Sequence, residues 1–441
     1  MNKRVKFFIS VILIFALFVS SFIIPASSFE TTVETSTSDL FLVNLDTDTI
    51  VFSQKPDTNW YAGSLAELMT FLLSYEMIPD LNAATFTVDQ TFISTLPYSD
   101  GCLDRFVGQT LTAKDLTAIM LLTSGNDAAY ALADLSANND RDAFIAAMNA
   151  RVAALGMKST AYVSPGFNNT SAQHTTCRDT YLLYQEVRKN DFFLSVMKSR
   201  SYTPTGLGEE YTVTAEASIL NENSPYYFRY TNDAMYSYTE DTYEELVATT
   251  TYRGKTYLFV GLLGLHQSEQ NVFADARKLT SWAYLNLSDH KMFNAEDALS
   301  DLTVTADWGD YQVGLRPYNS AFKTLPNEYD EAKLTYQFDI PKTVKTPFFA
   351  GQTLGRAKLF YAGEEIDDIA LSSNTDEGLG MLSDFGRFTG YVYRRMTPHR
   401  EILAKEFPTE PAVPVAQPSS EMPATDAVVP ATEAVVPATE G

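Results

Sequence analysis

Residues 60–76 read WYAGSLAELMTFLLSYE, and the fold is decided by how this stretch is read. Leu65, Leu68, Met69, Leu72 and Leu73 recur at spacings of three and four, the period of a helix that buries one face. Ser64 opens the run and Glu67 follows three residues later. Ser-x-x-Glu ahead of an apolar run is the pattern of a capping box. The Ser64 hydroxyl would accept from the backbone of Glu67, and Glu67 would reach back to Ser64. A carboxylate in the first turn also suits the positive end of the helix dipole. The residues alone therefore predict a helix capped by Ser64.

Upstream, SDLFLVNLDTDTIVFSQ (38–54) alternates apolar and polar residues around an Asp/Thr turn and predicts two short strands. Downstream, LTAKDLTAIMLL (111–122) predicts a helix starting on Thr112 with Asp115 three residues on, and Ser124-Gly125-Asn126 breaks it before a further helix from Asp127. The alanine-rich run from Arg141 stops at Gly156, a usual C-terminal signal. Tyr243 to Leu265 predicts a hairpin turning at Arg253 and Gly254, followed by a helix over 275–287. Helices and an antiparallel sheet in one unit imply an α+β domain from about residue 38 to 290. From about residue 300, short alternating stretches between Gly and Pro turns predict a small all-β module.

The chain has 441 residues, 45% hydrophobic and 20% charged, enough for real cores and unlike a disordered protein. Its 55 acidic against 32 basic residues give a formal charge of -23, which disfavours nucleic acid as a partner. Residues 1–28 carry Lys3, Arg4 and Lys6, then an apolar run from Phe7 to Ile24, then Ala26, Ser27 and Ser28. That order reads as a secretory signal cleaved after Ser28, with an uncleaved N-terminal anchor as the alternative. Either places the rest of the chain outside the cytoplasm. Cys102 and Cys177 have neither metal nor redox spacing, and nothing in the sequence pairs them. The four histidines are scattered, so no metal and no cofactor is expected. MLSDFGRFTGYVYRRMTPHR (381–400) is compatible with a membrane-surface helix or with a final strand and linker. Residues 408–441 repeat PATDAVV, PATEAVV and PATEG and predict an extended spacer.

Several of these segments together resemble one family, the low-molecular-mass penicillin-binding proteins, which are serine-type D-alanyl-D-alanine carboxypeptidases. LFLVNLDTDTIVFSQKPDTNWYAGSLAELMT is similar to the family's entry hairpin and nucleophile helix, and GQTLTAKDLTAIMLLTSGNDAAYALAD to its second motif with the helix before it. MNARVAALGMKSTAYVSPGF and HTTCRDTYLLYQ resemble its next segments, and TPFFAGQTLGRAKLFYAGEEIDDIAL its C-terminal β domain. The resemblance implies a penicillin-binding, β-lactamase-like domain over 29–292, an antiparallel sheet flanked by helices, followed by a small all-β domain over 300–396. It also implies peptidoglycan stem peptides or other wall proteins as partners and an extracytoplasmic location, secreted or associated with the wall or membrane.

The family's chemistry rests on S-x-x-K, S-x-N and K-T-G. Ser64 matches the nucleophile, and Ser124 and Asn126 match the second motif. Glu67 stands at the base lysine, while Met235, Tyr236 and Ser237 stand at K-T-G. Gly254-Lys255-Thr256-Tyr257 falls in the following strand and is a decoy. Both motif lysines are thus absent. At about 4 Å and an effective dielectric of about 20, one unit charge pair is worth roughly 4 kcal/mol, so an anionic Glu67 is expected to repel a substrate carboxylate. Tyr236 is expected to fill part of the pocket, and Ser124 and Asn126 also read as ordinary turn and N-cap residues. The sequence therefore predicts a wall-associated family member with lost or reduced hydrolysis that binds or scaffolds. The alternatives are an active carboxypeptidase with Glu67 as an unorthodox base, and a purely structural surface protein.

Overall fold

The computed structural model describes residues 29, 31–97, 101–238, 243–265, 271–306, 309–317, 320–345 and 352–373. Every described residue belongs to one compact unit within residues 1–380. The export segment, the 381–400 stretch and the repeat tail anticipated from sequence lie outside the described residues.

Two strands open the fold, β1 (Asp39–Asn44) and β2 (Thr49–Gln54). Helices α1 (Ala66–Met77), α2 (Ala113–Thr123), α3 (Asn126–Ser136), α4 (Arg141–Ala154), α5 (Cys177–Val187) and α6 (Asp191–Lys198) follow. The chain then returns to the sheet as β3 (Thr231–Tyr238), β4 (Tyr243–Tyr252) and β5 (Lys255–Leu265), and α7 (Val272–Asn286) closes the region. The five strands lie antiparallel in the order β2-β1-β5-β4-β3, which leaves β3 on an edge. The β4–β5 turn falls at Arg253 and Gly254 as the sequence predicts. Both residues have positive φ, 52° and 79°, as tight hairpin turns matched to strand twist require.

Period-2 alternation sorts the sheet's side chains onto two cores. Phe41, Val43, Met235, Val247, Leu258 and Val260 pack with the helices from α1 to α6. Leu40, Leu42, Ala234, Leu246, Tyr257 and Phe259 pack with Val272, Phe273, Ala276 and Leu279 of α7. Each fully buried Leu, Val or Phe here contributes about 1.5–3 kcal/mol of transfer free energy. Helix α1 is buried at every residue from Ala66 to Ser74, so it lies inside the helical core and not on its surface. Helix α2 starts as read from sequence: Thr112 and Asp115 form a full capping box.

The segment before β1 is held to α7 through one atom. Asp275 Oδ2 accepts from the N–H and hydroxyl of Ser36, at 2.9 and 3.0 Å, and from those of Thr37, both at 2.8 Å.

After α7 the described residues are all-β apart from one short helical turn. Strands β6 (Leu287–Phe293) and β9 (Ala321–Pro326) pair with each other. Strands β7 (Ser300–Ala306), β8 (Gly309–Pro317), β10 (Leu334–Asp339), β11 (Thr343–Lys345), β12 (Thr353–Tyr361) and β13 (Glu364–Ser372) form a sheet in the order β10-β12-β13-β8-β7-β11. The β6–β9 pair is joined to the first sheet by polar contacts. Asn44 Nδ2 donates to Thr324 Oγ1 at 2.7 Å, and Lys323 Nζ donates to the Thr47 carbonyl at 2.7 Å while pairing with Asp367 at 3.0 Å. The architecture is α+β followed by a β module, the class the resemblance implies.

Candidate active site

Ser64 lies in a single 3-10 turn, Gly63–Leu65, that runs directly into α1. The capping-box expectation fails here. A capping residue needs extended backbone and a free side chain. The cap positions are instead Ala62 and Leu65, both in right-handed helical conformation, and no side chain caps either. Ser64 is itself a turn residue, and both carboxyl oxygens of Glu67 lack a hydrogen-bond partner. The sequence pattern could not distinguish the two cases, because an S-x-x-E spacing is the same whether the helix starts after the serine or already includes it.

Gly63 permits what happens next. Its φ is +51°, and a Cβ there would come within 2.6 Å of Glu245 Oε2 and 2.9 Å of Ser237 Oγ. Edge strand β3 can therefore press against the start of the helix. The backbone N–H of Ser64 donates to Ser237 Oγ at 3.1 Å. Antiparallel register sets Glu245 of β4 directly across from Ser237. Ser64, Ser237, Glu67 and Glu245 are all buried.

Glu67 is wholly buried, and burial pushes its carboxyl well above the usual range, with Glu216 and Asp127 adding to the rise. Such a shift favours the neutral, protonated form of the carboxyl. The direction of this shift opposes a full negative charge on Glu67 and so weakens the expected repulsion of a substrate carboxylate. Burial also raises Glu245, to about 8, and its neighbour Ser237 offsets part of that rise. Glu216 keeps an exposed surface, and partial burial of its carboxyl raises it to about 7. Neither Glu245 oxygen completes a hydrogen bond.

Met235 is buried in the helical core, opposite Val247 of β4. Tyr236 alternates to the other face, which corrects the expectation that its ring fills the pocket. The ring lies 4.8 Å from Phe273, and its hydroxyl donates to Glu244 Oε1 at 2.9 Å. Its backbone carbonyl does face the helices and accepts from Ser124 Oγ at 2.6 Å. Ser124 sits in left-handed conformation at the end of α2, and Gly125 occupies the N-cap of α3 without a side-chain bond. Ser124 is the C-terminal cap of α2, a turn residue as the simpler sequence reading has it, but neither Ser124 nor Asn126 is an N-cap, since Gly125 holds that position. Asn126 is buried beside Gly166, and neither polar atom of its amide has a partner.

The structure thus brings Ser64 and Ser237 into direct contact and ties Ser124 to the same edge strand. It places Met235 in the core and Tyr236 on the far face. Lys255 of the decoy motif donates to the Leu287 carbonyl at 2.7 Å. Glu245, Glu216 and Asp127 were missed as members of the site. Asp127 accepts from the backbone N–H of Leu103 at 2.7 Å and of Cys102 at 3.2 Å, fixing the 101–103 loop over the start of α3. The hairpin's cross-strand register was the signal that could have found Glu245. Cys102 and Cys177 are both free thiols.

A serine entering the central helix, a second serine on the adjoining inter-helix turn and an antiparallel edge strand beside both define a penicillin-binding, β-lactamase-like domain. The chain belongs to the D-alanyl-D-alanine carboxypeptidase family (peptidase S11), whose model matches residues 27–263. It is 23% identical over 354 residues to the D-alanyl-D-alanine carboxypeptidase DacA of Haemophilus influenzae, covering 76% of this chain and 84% of that protein. It is 21% identical over 347 residues to the D-alanyl-D-alanine carboxypeptidase DacF of Bacillus subtilis, with the same coverage. Among solved structures, penicillin binding protein 5 of Haemophilus influenzae superposes with a TM-score of 0.65 at 19% identity, over 79% of this chain and 99% of that one. A peptidoglycan synthesis regulatory factor of Streptococcus pneumoniae superposes at 0.59 and 18% identity, over 78% and 99%. The protein is penicillin-binding-protein-like and takes part in peptidoglycan metabolism.

Proposed function

We propose that this family member is exported, acts at the cell wall by binding stem peptides or scaffolding other wall proteins, and hydrolyses D-alanyl-D-alanine poorly or not at all. In this reading residues 1–28 direct export, 29–292 form the carboxypeptidase-like domain, 300–396 the β domain, and 408–441 a tether. Ser64, Ser124 and Asn126 are the inherited site, while Glu67, Met235, Tyr236 and Ser237 are its degenerate positions. One observation carries the proposal. Glu67, three residues after Ser64, is a buried carboxyl without a partner, and the charged groups bearing on it, Glu216 and Asp127, are both acidic. A serine hydroxyl needs a proton acceptor within hydrogen-bond reach to become a nucleophile, and no hydrogen bond joins Ser64 to Glu67. The test is the intact mass of the full chain after incubation with a β-lactam, beside a Ser64→Ala control. No adduct is expected, and a stoichiometric adduct that disappears in the control would overturn the proposal.

A second reading has one observation in its favour. The raised pKa of Glu67 moves that carboxyl toward the range in which carboxylates serve as general bases near neutral pH. An active enzyme of this kind would turn over a D-Ala-D-Ala peptide in wild type and lose turnover in Glu67→Gln. Equal turnover in the two would eliminate Glu67 as the base.

A further inference from the structure

In acyl transfer at a serine, the oxygen that becomes negative is held by backbone N–H donors, and the N–H of the nucleophile itself is a common one. The first turn of a helix has such donors to spare, because its leading N–H groups have no intrahelical acceptor. At Ser64 that donor is taken. Ser237 Oγ approaches from the edge strand to 3.1 Å and is itself buried. Two features hold it there. Gly63 gives room for the approach through its positive φ and missing Cβ, and the Glu245 carboxyl shares the contact with Gly63 from across the β3–β4 register. The acceptor is thus fixed by packing from two strands and a glycine.

We propose that the Ser237 side chain is an internal acceptor that closes the Ser64 amide to a carbonyl oxygen or oxyanion, and that this hydroxyl is a second, separate brake on serine chemistry at the site. The proposal rests on the reading of Ser64 as the inherited nucleophile. It assigns the block to position 237, separately from the missing base at position 67. A ligand oxygen can use the Ser64 N–H only by displacing Ser237 Oγ. A residue at 237 without a hydroxyl leaves the donor unpaired and open.

The experiment compares the full-length wild type with Ser237→Ala and Ser237→Gly, using Ser64→Ala to identify the labelled residue. The probe is a small alkyl phosphonofluoridate. Its P=O oxygen needs the amide donor, while Ser64 Oγ forms a bond to phosphorus, the P–F bond breaks, fluoride leaves and the hydroxyl proton passes to water. Labelling is followed by mass, and exchange of the Ser64 amide by hydrogen–deuterium exchange. Removing the hydroxyl is expected to speed Ser64 amide exchange by about tenfold and Ser64 labelling by about a hundredfold. Unchanged exchange in Ser237→Ala would overturn the proposal, since the amide would then not depend on that hydroxyl. Faster exchange without faster labelling would overturn it too, because the bond would exist without governing reactivity. Ser237→Ala keeps the strand's Cβ, so both readouts remain available if the glycine variant does not fold. Hydrolysis of a D-Ala-D-Ala peptide by the wild type would sink the impaired-enzyme reading while leaving the wild-type-to-variant ratio as a separate result.

Discussion

Ser124 donates its hydroxyl to the backbone carbonyl of Tyr236 at 2.6 Å while its own backbone stands at φ 48° and ψ 46°. The bond fastens the turn between α2 and α3 to the edge strand. It also keeps a non-glycine residue in a conformation that costs about 1–2 kcal/mol. Ser124→Ala loses the bond and keeps the strain, so it should destabilise the protein by about 1–2 kcal/mol. Ser124→Gly loses the bond but relieves the strain and should be closer to neutral. Urea midpoints of the two variants check the order, and a glycine variant less stable than the alanine one would refute the strain.

Two buried carboxyls, Glu67 and Glu245, give the protein a pH dependence of definite sign, and Glu216, which keeps an exposed surface, adds a weaker, solvent-screened contribution in the same direction. Glu245 is raised to about 8, Glu216 to about 7, and Glu67 well above its ordinary value, each with burial as the largest cause. Below the unfolded value of 4.5 both states are protonated and these groups contribute no slope. Above it the unfolded chain releases protons that the folded chain retains, so stability falls as pH rises toward the folded values. The slope is about 1.4 kcal/mol per pH unit for each such fully buried group. The protein should therefore withstand more urea at pH 5 than at pH 7.5, and Glu245→Gln should flatten the difference. The opposite order of midpoints would show that these carboxyls are ionised in the folded state.

Glu67 is an unpartnered carboxyl in the stretch of α1, Ala66 to Ser74, that is buried at every residue. Replacing a buried, unpartnered carboxyl with an apolar side chain of similar length removes its desolvation cost, so Glu67→Met should stabilise the protein by about 1–3 kcal/mol at neutral pH. Thermal melting of the variant at pH 7.5 is the measurement. A lower melting temperature would mean that the carboxyl has a partner in solution, such as a buried water.

Lys323 is buried, and its ammonium spans the Thr47 carbonyl and Asp367. Lys323→Met keeps the stem but strands Asp367 and the carbonyl, at an expected cost of about 2–4 kcal/mol. Limited proteolysis should then cut faster within residues 287–373 than in wild type. An unchanged digestion pattern would rule out this contact as a brace for the β region.

Much of the fold could be read from the chain because it is written in local periods. The 3.6 spacing at 113–123, the capping pair Thr112 and Asp115, and the positive-φ turn at Arg253 and Gly254 each fix an element with information a few residues long. The site was legible only in part. Ser64, Ser124 and Ser237 could be named from motif spacing, but the state of Glu67 depends on what surrounds α1 in three dimensions. The side on which Tyr236 points depends on strand parity relative to a distant helix. Glu245 belongs to no motif and reaches the site through β-sheet register, and Glu216 joins from an irregular segment with no periodic signal at all.

The Asp275 clamp on Ser36 and Thr37 also has a mechanical meaning. The chain first meets the folded body at Phe29, whose N–H donates to the Val51 carbonyl at 3.2 Å and whose ring lies edge-on to Tyr361, so a pull from upstream that loosens Phe29 arrives at Ser36 and Thr37 next. Four hydrogen bonds converge on one carboxylate oxygen whose helix is packed against the sheet, so the load spreads into α7 before it reaches β1. A protein held by its leading end would thus carry tension into a buried, multiply bonded fixture on α7 and not directly into the 3-10 turn that holds Ser64.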